Sequence, residues 1–170
     1  MLQHAQITDA PLYLDDKSLV GICEEFTVPE LEVGQIEHST LGSIGVFKLP
    51  ARGQLQPTDG SLVLSSPDPE LITMSSNPRK ALRFQLHSKV DAFDAMGLAE
   101  EKSTTIVTHV TALFYKRIFP SGKRGEAGKY TAEFSITRLM QRDIKSEKPI
   151  IEIDFFANVY NGPDGPMWPD

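Results

Sequence analysis

The sequence predicts a mainly β protein, an antiparallel β-sandwich or half-open barrel with one short flanking α-helix, and three observations predict it. Residues 106–160 hold three long runs with a two-residue apolar period. Polar segments rich in glycine and proline separate those runs. Only one stretch of the chain, Asp68-Pro69-Glu70 and the residues after it, opens like a helix.

In the first run Ile106, Val110, Ala112, Phe114 and Ile118 oppose His109, Thr111, Tyr115 and Arg117. In the second, Tyr130, Ala132, Phe134, Ile136 and Met140 oppose Thr131, Glu133, Ser135, Thr137 and Gln141. In the third, Ile151, Ile153, Phe155, Ala157 and Val159 oppose Glu152, Asp154 and Asn158. A strand sends alternate side chains to opposite faces, whereas a helix would scatter them. Glycines 122, 125 and 128 reverse the chain after the first run, and a charged link closed by Pro149 does so after the second. The three runs therefore form a meander of two hairpins with one apolar face, which needs a second layer to cover it.

From the N-terminus, residues 1–10 are polar and without period, a flexible or partner-dependent arm. Leu12-Tyr13-Leu14 and Leu19-Val20-Gly21-Ile22 flank Asp15-Asp16-Lys17 as a tight hairpin, because Asp tolerates turn geometry. Residues 19–27 read as strand and place Cys23 as a small, partly buried side chain. Residues 30–38 alternate Leu31, Val33 and Ile36 with Glu30, Glu32 and Glu37, and the link Leu41-Gly42-Ser43-Ile44-Gly45 follows. Residues 54–65 resume strand character around Leu55, Leu62, Val63 and Leu64. The helix then starts with Asp68 as cap, Pro69 at the first position and Glu70 at the positive end, and Asn77-Pro78 stops it. Residues 79–91 form a strand with Leu82, Phe84, Leu86 and Val90 on one face and Arg83, Gln85, His87 and Lys89 on the other. That basic face reads either as a phosphate-contacting patch or as partners for acidic neighbours across strands or subunits. Residues 91–102 read as a loop. Asn161-Gly162-Pro163-Asp164-Gly165-Pro166 ends regular structure, and Trp168 either anchors on a neighbouring surface or stands exposed. The division is an arm over 1–10, one β domain over 11–162 and a tail over 163–170.

Composition narrows the function. A chain of 170 residues with 40% hydrophobic content suits one domain with a real core. No run reaches the roughly 18 apolar residues of a membrane span, and the first residues lack the charged start and apolar stretch of an export signal. One cysteine forms no internal disulfide or cysteine metal site. A net charge of −6 opposes affinity for phosphates. His4, His38, His87 and His109 lack ligand or triad spacing. Gly122-Lys123 lacks the earlier glycine and following hydroxyl of a phosphate loop, and Gly42-Ser43-Ile44-Gly45 lacks the spacing of a nucleophile elbow. No cofactor and no enzyme chemistry are expected. What remains is a surplus of strand, in runs longer than the usual five or six or so residues. Long flat edges invite association.

The order of features is similar to that of the major tail tube protein of contractile-tailed bacteriophages, over residues 12–162. The pieces that carry the likeness include Thr27-Val28-Pro29-Glu30-Leu31, the acidic arm with its Gly42/Gly45 link, the short helix and Ala81-Leu82-Arg83-Phe84. Phe114-Tyr115-Lys116-Arg117 and the Glu152-Ile153-Asp154 to Asn161-Gly162 end complete the series. The chain departs from the family in a longer N-terminal lead and a Pro-rich ending.

The resemblance implies that copies, six to a ring, complete a continuous β-barrel around a channel, and that rings stack into the inner tube of a tail. It implies a virion location after assembly in the host cytoplasm. The implied partners are other copies, the sheath, a tape-measure protein, and the terminator and baseplate hub proteins, with DNA only in transit and no membrane. Glu30, Glu32, Glu37, Gly42 and Gly45 become candidates for channel or inter-ring surfaces, against the alternative of a solvated acidic hairpin. Arg83, Lys89, Arg117, Glu152 and Asp154 become candidates for subunit interfaces. Net −6 per copy would give an acidic bore along which DNA slides by repulsion. The tube of a headless phage-tail bacteriocin or related injection system fits equally. From a different class, a monomeric β-barrel around a small apolar ligand predicts an enclosed pocket and no assembly, and an enzyme with an unrecognised site comes last.

Overall fold

The computed structural model describes residues 4–168 except Ser43, Ser121 and Ala127. In chain order its elements are β1 (His4–Asp9), β2 (Leu12–Leu14), β3 (Lys17–Ser18), β4 (Cys23–Thr27), β5 (Leu31–His38), β6 (Phe47–Pro57) and β7 (Gly60–Leu64). Then come α1 (Pro69–Ser75), β8 (Leu82–Asp94), β9 (Gly97–Leu98), β10 (Thr104–Ile118), β11 (Tyr130–Asp143), β12 (Pro149–Asp154), β13 (Val159–Gly162) and β14 (Gly165–Pro166).

The three longest strands lie side by side in the order β8, β10, β11, all antiparallel. β11 is the branch point: its first half pairs with β7 and its second half with β12. β7 also holds β4, so the sheet folds back over its own apolar face. Leu62 and Leu64 of β7 and Leu71 of α1 share one buried core with Leu82, Phe84, Val110, Ala112, Phe114, Tyr130 and Phe134 of the long strands. Rings centre it, with Phe114 edge-on to Phe134 at 5.3 Å and Phe26 stacked on Phe134 at 5.4 Å. Offset and edge contacts of this kind add to the burial of each ring. β5 and β6 leave this body as a separate two-stranded arm.

The helix forms as its sequence dictates. The Asp68 carboxylate accepts the Glu70 N–H at 3.0 Å with Pro69 at the start, and Lys17 of β3 bridges Asp68 and Glu70. At the other end the Arg117 guanidinium donates to the Ser75 and Ser76 carbonyls at 3.0 and 2.8 Å, meeting acceptors that a helix leaves unpaired.

Several sequence expectations are corrected. Residues 4–9 of the supposedly unstructured lead form β1, paired with β8 from Lys89 to Phe93. All six side chains are exposed, so main-chain pairing orders them with help from two surface contacts, Thr8 donating to Asp91 at 2.7 Å and Lys89 to Asp9 at 3.2 Å, and no apolar period is needed. The run 19–27 begins its strand only at Cys23, because the chain turns through Val20 and Gly21 while Leu19 drops into the core. Residues 54–65 belong to two sheets, parted at Thr58-Asp59. Thr58 N–H donates to the Glu30 carbonyl and its hydroxyl accepts the Glu30 N–H, each at 2.8 Å, which clamps the root of the arm.

The expected loop 91–102 starts as the end of β8 and returns through the β9 hairpin. The third meander run stops at Asp154, whose Oδ1 accepts the Phe156 and Ala157 N–H groups, and Asn158 at φ 53° reverses the chain into β13. Phe155 and Ala157 are therefore exposed instead of core-facing. The ending expected to be irregular pairs Asn161 with Pro166 and Gly162 with Gly165. Of the outer segments, residues 1–3, 169 and 170 lie outside the described residues.

Candidate assembly surfaces

Three surfaces remain once the core is accounted for. The first is the arm. Its register places Glu32 against Gln56 and Glu37 against Lys48, and Glu30, Glu32 and Glu37 are all exposed. Gly34 sits at a bulge facing Gln54, where an added Cβ would lie 2.6 Å from the Gln54 amide oxygen. Towards the apex Ile36, Leu41, Ile44, Val46, Phe47 and Leu49 are exposed, with Leu41 and Ile44 bare on every side. Gly42 takes φ 88°, a left-handed turn suited to glycine, and Gly45 follows it; Ser43 between them lies outside the described residues. Large apolar side chains left bare together make the apex a candidate contact surface.

The second is the open face of the long sheet, opposite the core. Cross-strand rows place Arg83, Thr111 and Arg138 together, then Gln85, His109 and Met140, then His87, Val107 and Arg142. The first two rows line a cleft of about 560 Å³ with Asp15 and Asp16 at its edge. His109 is half-buried and its Nε2 has no hydrogen-bond partner among the described residues. Burial, then Arg142, His87 and Arg138 beside it, hold its imidazole below the ordinary histidine pKa. Arg138 pairs with Glu152 at 2.8 Å and Arg83 with Asp15 at 3.5 Å.

The third is the set of strand edges. Among the described residues β1, β3, β4 and β14 each pair on one side only. A bare edge is a template for another chain.

The structure brings all five interface candidates onto one sheet, Arg83 and Lys89 on β8, Glu152 and Asp154 on β12, and Arg117 near the end of β10, where its guanidinium reaches the last carbonyls of the helix. Each already has a partner within the chain: Asp15 for Arg83, Asp9 for Lys89 at 3.2 Å, the helix end for Arg117, Arg138 for Glu152, and the turn after β12 for Asp154. Sequence reasoning missed Arg138, Arg142 and the bare apex. An unbroken two-residue period puts Arg138, Met140 and Arg142 on the apolar side of the second run, but a bulge at Thr137 flips the faces. Leu139 is therefore buried, and Arg138, Met140 and Arg142 face outward. The glycines among Leu41, Ile44 and Val46 read as a link and hide the apex.

The interior where a small-ligand barrel would hold its guest is filled by Phe84, Phe114 and Phe134. The architecture defines a class, an antiparallel β protein with bare strand edges, a projecting apolar-tipped arm and one open sheet face. The family model for phage tail tube protein FII matches residues 4–164, and the chain belongs to that family: it is a phage tail tube subunit. Among solved structures, a chain of the extended sheath-tube complex of the extracellular contractile injection system PVC is 13% identical, with 82% of this chain and 91% of that chain covered at a TM-score of 0.57. A chain of the PVC sheath/tube terminator in the extended state is 14% identical over 81% and 95% at 0.55. Hcp1 from Salmonella typhimurium is 16% identical over 91% and 99% at 0.49. No curated protein sequence matches.

Proposed function

We propose that six copies close into a ring by pairing their sheet edges and that rings stack head to tail into the inner tube of a phage tail, through which DNA passes. The observation that carries this reading is the set of strands that, among the described residues, pair on one side only: β1, β3, β4, β9 and β14 of the large sheet and both strands of the arm. Ring closure completes them, and a heterologous contact between rings builds an open filament. The tube works by shape and charge and performs no catalysis. A tape-measure protein fills it at rest, the sheath surrounds it, and terminator and baseplate hub proteins meet its ends. Assembly takes place in the host cytoplasm and the product resides in the virion tail. Glu30, Glu32, Glu37, Gly42 and Gly45 face the channel or the next ring, while Arg83, Lys89, Arg117, Glu152 and Asp154 border neighbouring subunits.

Negative-stain microscopy of the purified chain at high concentration tests this. Hollow rings or filaments are the expected result, and dispersed monomers at every concentration overturn it. The likeness in fold to the PVC tube complexes favours one second reading, the tube of a headless injection system. Heads with packaged DNA on the purified particles separate the first reading from the second.

A further inference from the structure

Between the root of the arm and the β12–β14 end of the long sheet lies a second cleft, of about 530 Å³, within the roughly 300–1,000 Å³ range of clefts that hold a ligand. Leu55 of β6 and the buried Ile153 give it aliphatic walls, and Phe155, Tyr160 and Trp168 give it aromatic ones. Tyr160 and Trp168 meet edge to face, with centroids 4.9 Å apart at 64°. The Met167 N–H donates to the Tyr160 carbonyl at 2.9 Å and holds the last described residues along β13, so the indole is part of the wall. Arg52, Asp154, Asn158 and Asn161 line the rest of it, so the cleft is mixed, with an apolar part that suits large apolar side chains and polar groups beside it.

The same chain offers such side chains and has nowhere to put them. Ile44 and Leu41 at the arm apex are wholly exposed, and Val46 and Phe47 are half exposed or more. The apex cannot reach this cleft within one molecule: Gly53 in the cleft wall and Phe47 lie on one continuous strand, roughly 20 Å apart at about 3.3 Å per residue. Donor and acceptor therefore stand at two ends of one stiff hairpin. A contact between them joins different copies and differs on its two sides, a type that closes into a ring or builds an open stack according to whether its rotation closes, and in the tube reading it serves the stack.

We propose that the cleft formed by Leu55, Ile153, Phe155, Tyr160 and Trp168 receives the apolar arm apex of a neighbouring copy. The inference rests on the tube reading and adds the acceptor, which also gives Trp168 a role. A second copy is the occupant because the bare apolar apex and the apolar part of the cleft lie on one chain and cannot meet within it.

Trp168 is the single tryptophan of the chain, so its fluorescence reports on the cleft. Emission is recorded as the concentrated chain assembles, for the native sequence and for the double variant Ile44→Asp, Phe47→Asp, whose changes fall on exposed side chains; microscopy and circular dichroism run in parallel. The native chain shifts its emission to the blue as stacks form. The double variant keeps its circular dichroism, still closes rings, loses the shift and fails to stack. Mixing it with Trp168→Ala, which has an intact apex and a damaged cleft, restores single ring-to-ring contacts without long tubes. Tubes that form with unchanged emission, or a double variant that stacks as the native chain does, overturn the cleft assignment and leave the tube reading standing. A native chain that forms neither rings nor stacks overturns both. A blue shift caused by an added apolar ligand or another tail protein, with none on self-assembly, overturns the choice of a second copy.

Discussion

Gly60 shows how much of this fold is decided by single atoms. A Cβ built there would lie 2.4 Å from Phe134 Cζ and 2.8 Å from the Thr27 carbonyl, so β7 can pass between the aromatic core and β4 only without a side chain. Gly60→Ala overpacks this site and should cost about 1–3 kcal/mol in urea unfolding; an unchanged midpoint would show that the core gives way freely. Tyr130 is a second fixed point, fully buried with its hydroxyl 2.7 Å from Ser75 Oγ. Ser75 also donates to the Ile72 carbonyl, so Tyr130→Phe removes one bond and keeps the ring; the expected loss is about 0.5–1.5 kcal/mol in the same assay. Cys23 behaves as the sequence suggested, half-buried, and burial pushes its thiol up to about 11. Thiol reagents at pH 8 should label it far more slowly in the native chain than in denaturant. The pattern of the sequence points to Tyr130 and Phe134 as core. It cannot point to Gly60, because an absent side chain leaves no periodic signal.

The helix and the turns set the limits of legibility at the level of elements. Asp68, Pro69 and Glu70 are local signals with local causes, and the helix starts where they place it. The Lys17 ammonium beside Asp68 holds its carboxyl below the usual carboxylate range. A depressed native pKa means that the stabilisation is present above the ordinary value near 3.8 and is lost as pH falls through the native one. Acid titration should therefore loosen α1, and Asp68→Asn, which keeps a capping oxygen but no charge, should flatten that dependence; an unaltered acid profile would assign it to other carboxylates. The far end of the helix depends on Arg117, 42 residues past Ser75 and outside any signal the helix itself contains. Turns are legible only when their chemistry is sought inside apparent strands. Asp94 accepts the Met96 N–H and Asp154 the Phe156 N–H, each an Asp two residues ahead of the N–H it binds, and each reverses a run that read as loop or unbroken strand. β1 carries no apolar signal, since main-chain pairing and the exposed Thr8–Asp91 and Asp9–Lys89 contacts hold it without an apolar period.

At the scale of the whole molecule the question is where a net charge of −6 resides, because a formal sum over the chain says nothing about which face holds it. On the open face of the long sheet Arg83, Lys89, Arg138 and Arg142 outnumber Asp91, Glu152 and Asp154, and most of these charges are tied in pairs or turns. Glu30, Glu32 and Glu37 instead stand exposed on the arm, held clear of the body by the Glu30–Thr58 clamp. The alternation of residues 30–38 was enough to predict a strand with an acidic side; that its partner strand starts at Phe47 and carries a bare apolar apex required the fold. Replacing all three glutamates by lysine changes the arm by six charges while leaving the apex and the core untouched. If these residues face the channel, tubes should assemble normally and DNA ejection should slow, because lysines hold phosphates that glutamates repel, and the delay should shrink as added salt shortens the reach of the charges to about 8 Å at physiological strength. Tubes that assemble and eject DNA at the native rate at low salt would place the three glutamates on a solvated flank and return the question of the bore to the Arg138 and Arg142 face.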